Sequence, residues 1–154
     1  AIQANDLIGR KTARDSGATA KAVLAQMRAT VAELAAVGGD LAALQCQLSA
    51  GVDALEASVN YVVENYGRDI RAVSVGSVPY LMLFGVVAGG WQMARAALVA
   101  KAHLAQSDAD RSFYATKIIT ARFYGDHVLT QAQGLADTVV HGAAAALDID
   151  DACF

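Results

Sequence analysis

Residues 34–55 read LAAVGGDLAALQCQLSAGVDAL, and the pair Gly38 and Gly39 separates two long apolar periodicities. Upstream, Leu24, Met27, Val31 and Leu34 follow three- and four-residue steps to Val37. Downstream, Leu41, Leu44, Leu48, Val52, Leu55, Val59 and Val62 repeat that spacing to about Tyr66. Apolar residues at this period line one face of an α-helix. Only Gly38, Gly39 and Asp40 lie between the patterns, so the spacing predicts two helices that reverse direction and pack as an antiparallel hairpin. Asp15 or Ser16 is expected to cap the first and Asp40 the second.

Working outward, a polar stretch from Gly67 to Arg71 leads through residues 72–77 toward Pro79. Proline is tolerated in a first helical turn and not deeper, so a third helix is expected to begin there and end near Gln106. Its apolar positions are Tyr80, Leu81, Leu83, Phe84, Val87, Trp91, Ala94, Leu98 and Leu104. Ser107, Asp108 and Asp110 offer capping oxygens for a fourth helix, which passes Phe113, Ile118, Ala121, Tyr124, Val128 and Leu135 to the alanines at 143–146. Gly125, Gly134 and Gly142 make a bend or break in it possible. Residues 2–14 carry a short helical pattern with Ile2, Leu7 and Ile8, and the expectation for them is the tail of something longer, without a signal peptide. No strand-period segment or repeat stands out. The expected fold is all-α, an up-down-up-down four-helix bundle preceded by a short N-terminal helix.

The 154 residues are 55% hydrophobic and 18% charged, with 13 Gly and one Pro. That excludes disorder and low complexity and suits one domain burying about 70% of the surface its unfolded chain exposes. Twelve Lys and Arg against fifteen Asp and Glu leave a net charge of -3, without the positive field that nucleic-acid binding requires. Cys46 and Cys153 stand far apart and outside any CxxC, so neither a disulfide framework nor a zinc site is expected and a reducing cytoplasm fits.

Catalytic constellations are weak. His103, His127 and His141 have no Glu three residues before them, as the metal sites of helical bundles have, so no metal site is expected. Ser74, Ser77 and Ser112 lack a GxSxG context, neither cysteine has an activating neighbour, and Gly38-Gly39 and Gly89-Gly90 lack a phosphate-binding pattern. Residues 72–94 are uncharged, but Ser74, Ser77, Pro79 and Gln92 interrupt them. The apolar helical part, Val78 to Trp91, would cover only about 21 Å, so a central bundle helix explains it better than a membrane span. Gly85 and Gly89 form a GxxxG and are expected on a buried face where a neighbouring backbone approaches closely.

Two segments resemble the C-terminal end of acyl-CoA dehydrogenases, in the subgroup with an extra helical domain. Ile2-Gln3-Ala4-Asn5-Asp6-Leu7-Ile8-Gly9-Arg10-Lys11 is similar to the helix that follows that family's Tyr-Glu-Gly-Thr motif. Lys117-Ile118-Ile119-Thr120-Ala121-Arg122-Phe123-Tyr124 resembles its Lys-x-x-x-Ala-Arg-Phe-Tyr stretch, and Tyr80-Leu81-x-x-Phe84-Gly85 and Gly90-Trp91 match as well. Thr130-Gln131 departs from the pattern, since relatives often carry Pro there; the helix break that Pro would enforce is in question.

The resemblance implies residues 1–14 as the end of a dehydrogenase-core helix, 15–147 as a C-terminal helical bundle and 148–154 as an acidic tail. It further implies a parent enzyme that binds FAD and removes the α and β hydrogens of an acyl-CoA thioester, the catalytic glutamate and flavin sheet lying upstream of Ala1. Within this chain no catalytic residue is expected, and the isolated chain is expected to bind no FAD. Gln3 either touches the cofactor in the full protein or stands on a helix surface. The implied role is packing on the catalytic core or at a subunit interface of a homo-oligomer. The rivals are a membrane-surface or protein-interaction module and, third, a free-standing small-molecule-binding bundle; the absence of a basic face weakens the membrane reading.

Overall fold

The computed structural model describes residues 1–106, 110–149 and 151–153, and these are helical almost throughout. α1 (Ile2–Asp6) continues as a π-helical segment, Leu7–Ala13. α2 (Ala18–Val37) and α3 (Ala42–Asn65) form the hairpin, joined by a 3-10 turn at Gly39–Leu41. α4 (Ile70–Val75) precedes α5 (Ser77–Ala105), and α6 (Arg111–His127), α7 (Ala132–His141) and α8 (Ala143–Leu147) follow.

The hairpin turns where the glycines allow it. Gly38 and Gly39 adopt φ of 61° and 59°, a region that costs a side chain and that glycine enters freely. At the other end Gly17, not Asp15 or Ser16, is the N-cap residue of α2; Asp15, two residues before it, binds the first turn, its carboxylate accepting from the Thr19 hydroxyl at 2.6 Å and the Thr19 backbone N–H at 3.0 Å. These bonds favour the ionised form, so the Asp15 carboxyl titrates below the ordinary carboxylate range. Asp40 does not cap α3. It pairs instead with Lys101 near the end of α5, at 2.6 Å, because the 3-10 turn carries its side chain outward. Across the hairpin Arg28 reaches both Asp53 and Glu56 at 2.6 Å.

Contact pairs give the directions. Gly17 lies against Val59 and Val63 while Arg28 meets Asp53 and Glu56, so α2 and α3 are antiparallel. Gly51 faces Val87 while Asp40 holds Lys101, so α5 is antiparallel to α3. Tyr114 stacks on His103 while Tyr124 reaches Val86, so α6 returns along α5. α3 packs against α2, α5, α6 and α7 and lies at the centre. Its buried residues, from Leu44 through Leu48, Val52, Leu55 and Val59 to Val62, are the expected stripe.

Besides the α2 cap and Asp40, the helix at 70–75 and the GxxxG pair depart from the reading of the sequence, while the break in the fourth pattern, which that reading left open, is present. Residues 70–75 form a short helix capped by Asp69, whose carboxylate accepts from the Ala72 N–H at 3.0 Å. The fourth pattern divides at Val128, where Leu129–Gln131 form a 3-10 turn, and again at Gly142. No proline enforces that break; Leu129 turns inward and becomes buried. The GxxxG pair behaves differently from expectation: Gly85 is exposed with open space around it, and Gly89 receives the phenol of Tyr124, not a neighbouring backbone. Close approach falls on other glycines. A methyl group at Gly90 would stand 2.6 Å from a Leu129 methyl, and one at Gly125 would lie 3.1 Å from a Leu44 methyl and 3.6 Å from the Leu44 Cα. Ser107 and Asp108 lie outside the described residues, as do Asp150 and Phe154 of the acidic tail.

These two environments predict opposite signs. Gly90→Ala should destabilise the fold by about 1–3 kcal/mol through overpacking. Gly85→Ala, on an exposed helical position, should stabilise it by up to about 1 kcal/mol. Chemical unfolding followed by circular dichroism measures both, and a Gly90→Ala midpoint at or above that of the parent chain would contradict the packing at Leu129.

Candidate functional site

The recognisable segments of the sequence meet inside the bundle as three polar locks between helices. Tyr80 of α5 is fully buried, and its hydroxyl lies 3.1 Å from that of Thr12 in the π-helical segment. Trp91, about three turns further along α5, donates its indole N–H to the Thr30 hydroxyl of α2 at 2.8 Å. Tyr124 of α6 donates to the Val86 carbonyl at 3.0 Å, over the face that Gly89 leaves open. Each aromatic body contributes apolar burial while its polar tip finds a partner. Among the described residues no buried side-chain polar atom lacks a hydrogen bond.

The same locks fasten the N-terminal segment. Ile8 and Thr12 are buried, and Gly9 lies under the Tyr66 ring of α3. Asp6 at the end of α1 pairs with Arg10 of the π-helical segment, each holding the other in its charged form. Gln3 is exposed on α1.

Other candidates are scattered. His103 stacks on Tyr114 with centroids 4.4 Å apart, and His127 on Phe123 at 4.3 Å. His141 lines a groove together with Asp137 of its own helix and Asp53 of α3. Among the described residues no group of three or more His, Cys, Asp or Glu side chains is arranged to hold a metal ion. Ser77 is buried at the start of α5, while Ser74 and Ser112 are exposed on separate helices. Cys46 and Cys153 are exposed and unbridged. α5 is long and apolar enough to cross a membrane by length and composition; eight of its residues are buried in this fold.

One hollow sets two cations beside apolar walls. Between α5 and α6 a groove of about 400 Å³ is lined by Gln92, Arg95, Ala96, Val99, Phe113 and Lys117. Arg95 lies over the Trp91 ring at 5.4 Å from its centroid, and Lys117 over Phe113 at 5.0 Å. Sequence reading passed over this groove because its two cations are 22 positions apart on different helices, neither within a motif.

Residues 23–150 match the family described as acetyl-CoA dehydrogenase C-terminal like. The chain belongs to that family. Over 131 residues it is 39% identical to the 3-methylmercaptopropionyl-CoA dehydrogenase of Ruegeria pomeroyi, a match covering 85% of this chain and 22% of that protein. The domain is therefore small beside the relative it resembles, and its recognisable aromatic positions hold helices together.

Burial of Tyr80 carries a pH signature. Desolvation pushes its phenol up to about 12, since the charged phenolate would be buried, and the bond to Thr12 offsets only part of this. A folded value above the unfolded one, about 10, means that this stabilisation is complete below pH 10. It is lost as pH rises toward 12. Tyr80→Phe should cost about 1 kcal/mol at neutral pH and should flatten the fall in stability between about pH 10 and 12. Urea unfolding of both proteins at stepped pH provides the comparison; parallel curves would show that Tyr80 does not titrate in that window.

Proposed function

We propose that this chain is the non-catalytic C-terminal helical domain of an FAD-dependent acyl-CoA dehydrogenase, packing on the catalytic core or at a subunit interface. The observation that carries the reading is the match of most of the chain to 22% of a CoA-thioester dehydrogenase, which leaves the greater part of such an enzyme to hold flavin and substrate. The interior supports a structural role: three of its polar contacts are helix–helix locks, at Thr12–Tyr80, Thr30–Trp91 and Val86–Tyr124. The parent reaction would remove the α and β hydrogens of an acyl-CoA thioester.

In this reading α1 ends a helix of the dehydrogenase core, and its exposed Gln3 touches the flavin in the full protein. FAD belongs to the parent enzyme; when bound there it would accept the hydride. The chain itself presents no strand-to-helix glycine loop for a dinucleotide among its described residues. Exposed apolar side chains remain for contact with the core or a second subunit: Val78, Leu81 and Met82 on α5, and Ile119 and Phe123 on α6. The parent is expected to be a cytoplasmic homo-oligomer, a placement that the unbridged cysteines fit.

Comparison of the full-length parent with the isolated chain tests the proposal. The parent should be yellow and should reduce an artificial electron acceptor when given an acyl-CoA. The isolated chain should be colourless and inactive. Flavin retained near stoichiometric occupancy by the chain alone, or a colourless and inactive parent, would overturn the reading.

A further inference from the structure

The α5–α6 groove is outside the three locks, and its charge is out of keeping with the rest of the molecule. The chain carries a net charge of -3, yet among the described residues no Asp or Glu lines this groove and both of its charged residues are cations. Arg10, Arg28 and Lys101 are each held by a carboxylate. Arg95 and Lys117 are held by neutral groups: Arg95 by the Trp91 face and by Gln92 Oε1 at 3.1 Å, Lys117 by the Phe113 ring. Aromatic faces position a cation while leaving its N–H donors available. Two positioned cations with no opposing charge select an anion.

The walls narrow the choice of anion. Val99, Ala96 and the exposed ring of Phe113 offer apolar contact beside the two charges, so a ligand with a flat ring joined to phosphate satisfies both halves. The hollow, about 400 Å³ and open to solvent, suits one nucleotide better than a whole dinucleotide coenzyme. We propose that this groove receives the phosphorylated adenosine end of a coenzyme A thioester, Arg95 and Lys117 taking its phosphate oxygens and Phe113 its purine. The choice of coenzyme A rests on the dehydrogenase reading above; the selection of a ring-bearing anion rests on the groove.

Trp91 is the single tryptophan of the chain and lies beneath Arg95, so it reports on occupancy. Titration of the chain with coenzyme A should change its fluorescence saturably, and calorimetry should give the same affinity. Arg95→Gln and Lys117→Gln alter exposed side chains and should leave the circular dichroism spectrum unchanged. Each should weaken binding roughly tenfold or more, as loss of a charge-assisted bond to phosphate does. Dephospho-coenzyme A should bind more weakly than coenzyme A, and FAD and inorganic phosphate more weakly still. Absence of saturable binding, unchanged affinity in both variants, or inorganic phosphate or FAD binding as well as coenzyme A would each overturn the proposal. An active flavin-containing parent whose C-terminal chain ignores coenzyme A would sink this inference alone. A chain that binds coenzyme A within a parent lacking flavin and activity would sink the dehydrogenase reading instead.

Discussion

Everything in this fold depends on α3 being buried on several sides at once. A helix that touches one neighbour needs a single apolar stripe, whereas α3 packs against α2, α5, α6 and α7. Its large side chains, Leu44, Leu48, Val52, Leu55, Val59 and Val62, fill the centre, and each such burial contributes roughly 1.5–3 kcal/mol. Small residues admit the other helices. Gly51 leaves room for Leu129 and Val87, and Ser58 returns its hydroxyl to the Ala54 carbonyl at 3.0 Å, so it brings no unmet polar group into the core. Larger side chains at these positions would push α5 and α7 away from the axis around which they are arranged.

The hairpin and the long helices were legible because their signals are local. Three- and four-residue spacing, a glycine pair, a proline confined to a first turn and Asp15 ahead of α2 all act within a few residues of where they stand. The features that escaped reading depend on contacts between distant residues. Gly85 and Gly90 are both helical glycines on α5, and nothing in their neighbours along the chain says that one faces open space and the other a leucine from residue 129. Asp40 has the chemistry of a cap, but a short turn and Lys101 redirect it. α4 was hidden because six residues are too few to display a period.

Candidate chemistry was less legible than the fold, for the same reason. The aromatic motif positions signalled a family, but their physical task became visible only with their partners: Thr12 for Tyr80, Thr30 for Trp91, the Val86 carbonyl for Tyr124. The α5–α6 groove has no sequence signature, since Arg95 and Lys117 become neighbours only when α6 folds back along α5. Helix ends and stripes are written in short spans of sequence; interhelical sites are written in pairs of residues far apart.

The turn at Leu129–Gln131 shows what such long-range specification entails for motion. No residue in it forbids continued helix: there is no proline, and the glycines on either side, Gly125 and Gly134, are several residues away. The inward turn of Leu129 into the space left by Gly51 and Gly90 is what separates α6 from α7. Local geometry is therefore a readout of global integrity. When the core loosens, the incentive for the turn disappears and α6 and α7 are at liberty to merge into one straight helix. The connection between α6 and α7 is therefore expected to open with the core and not ahead of it, although connections ordinarily open first.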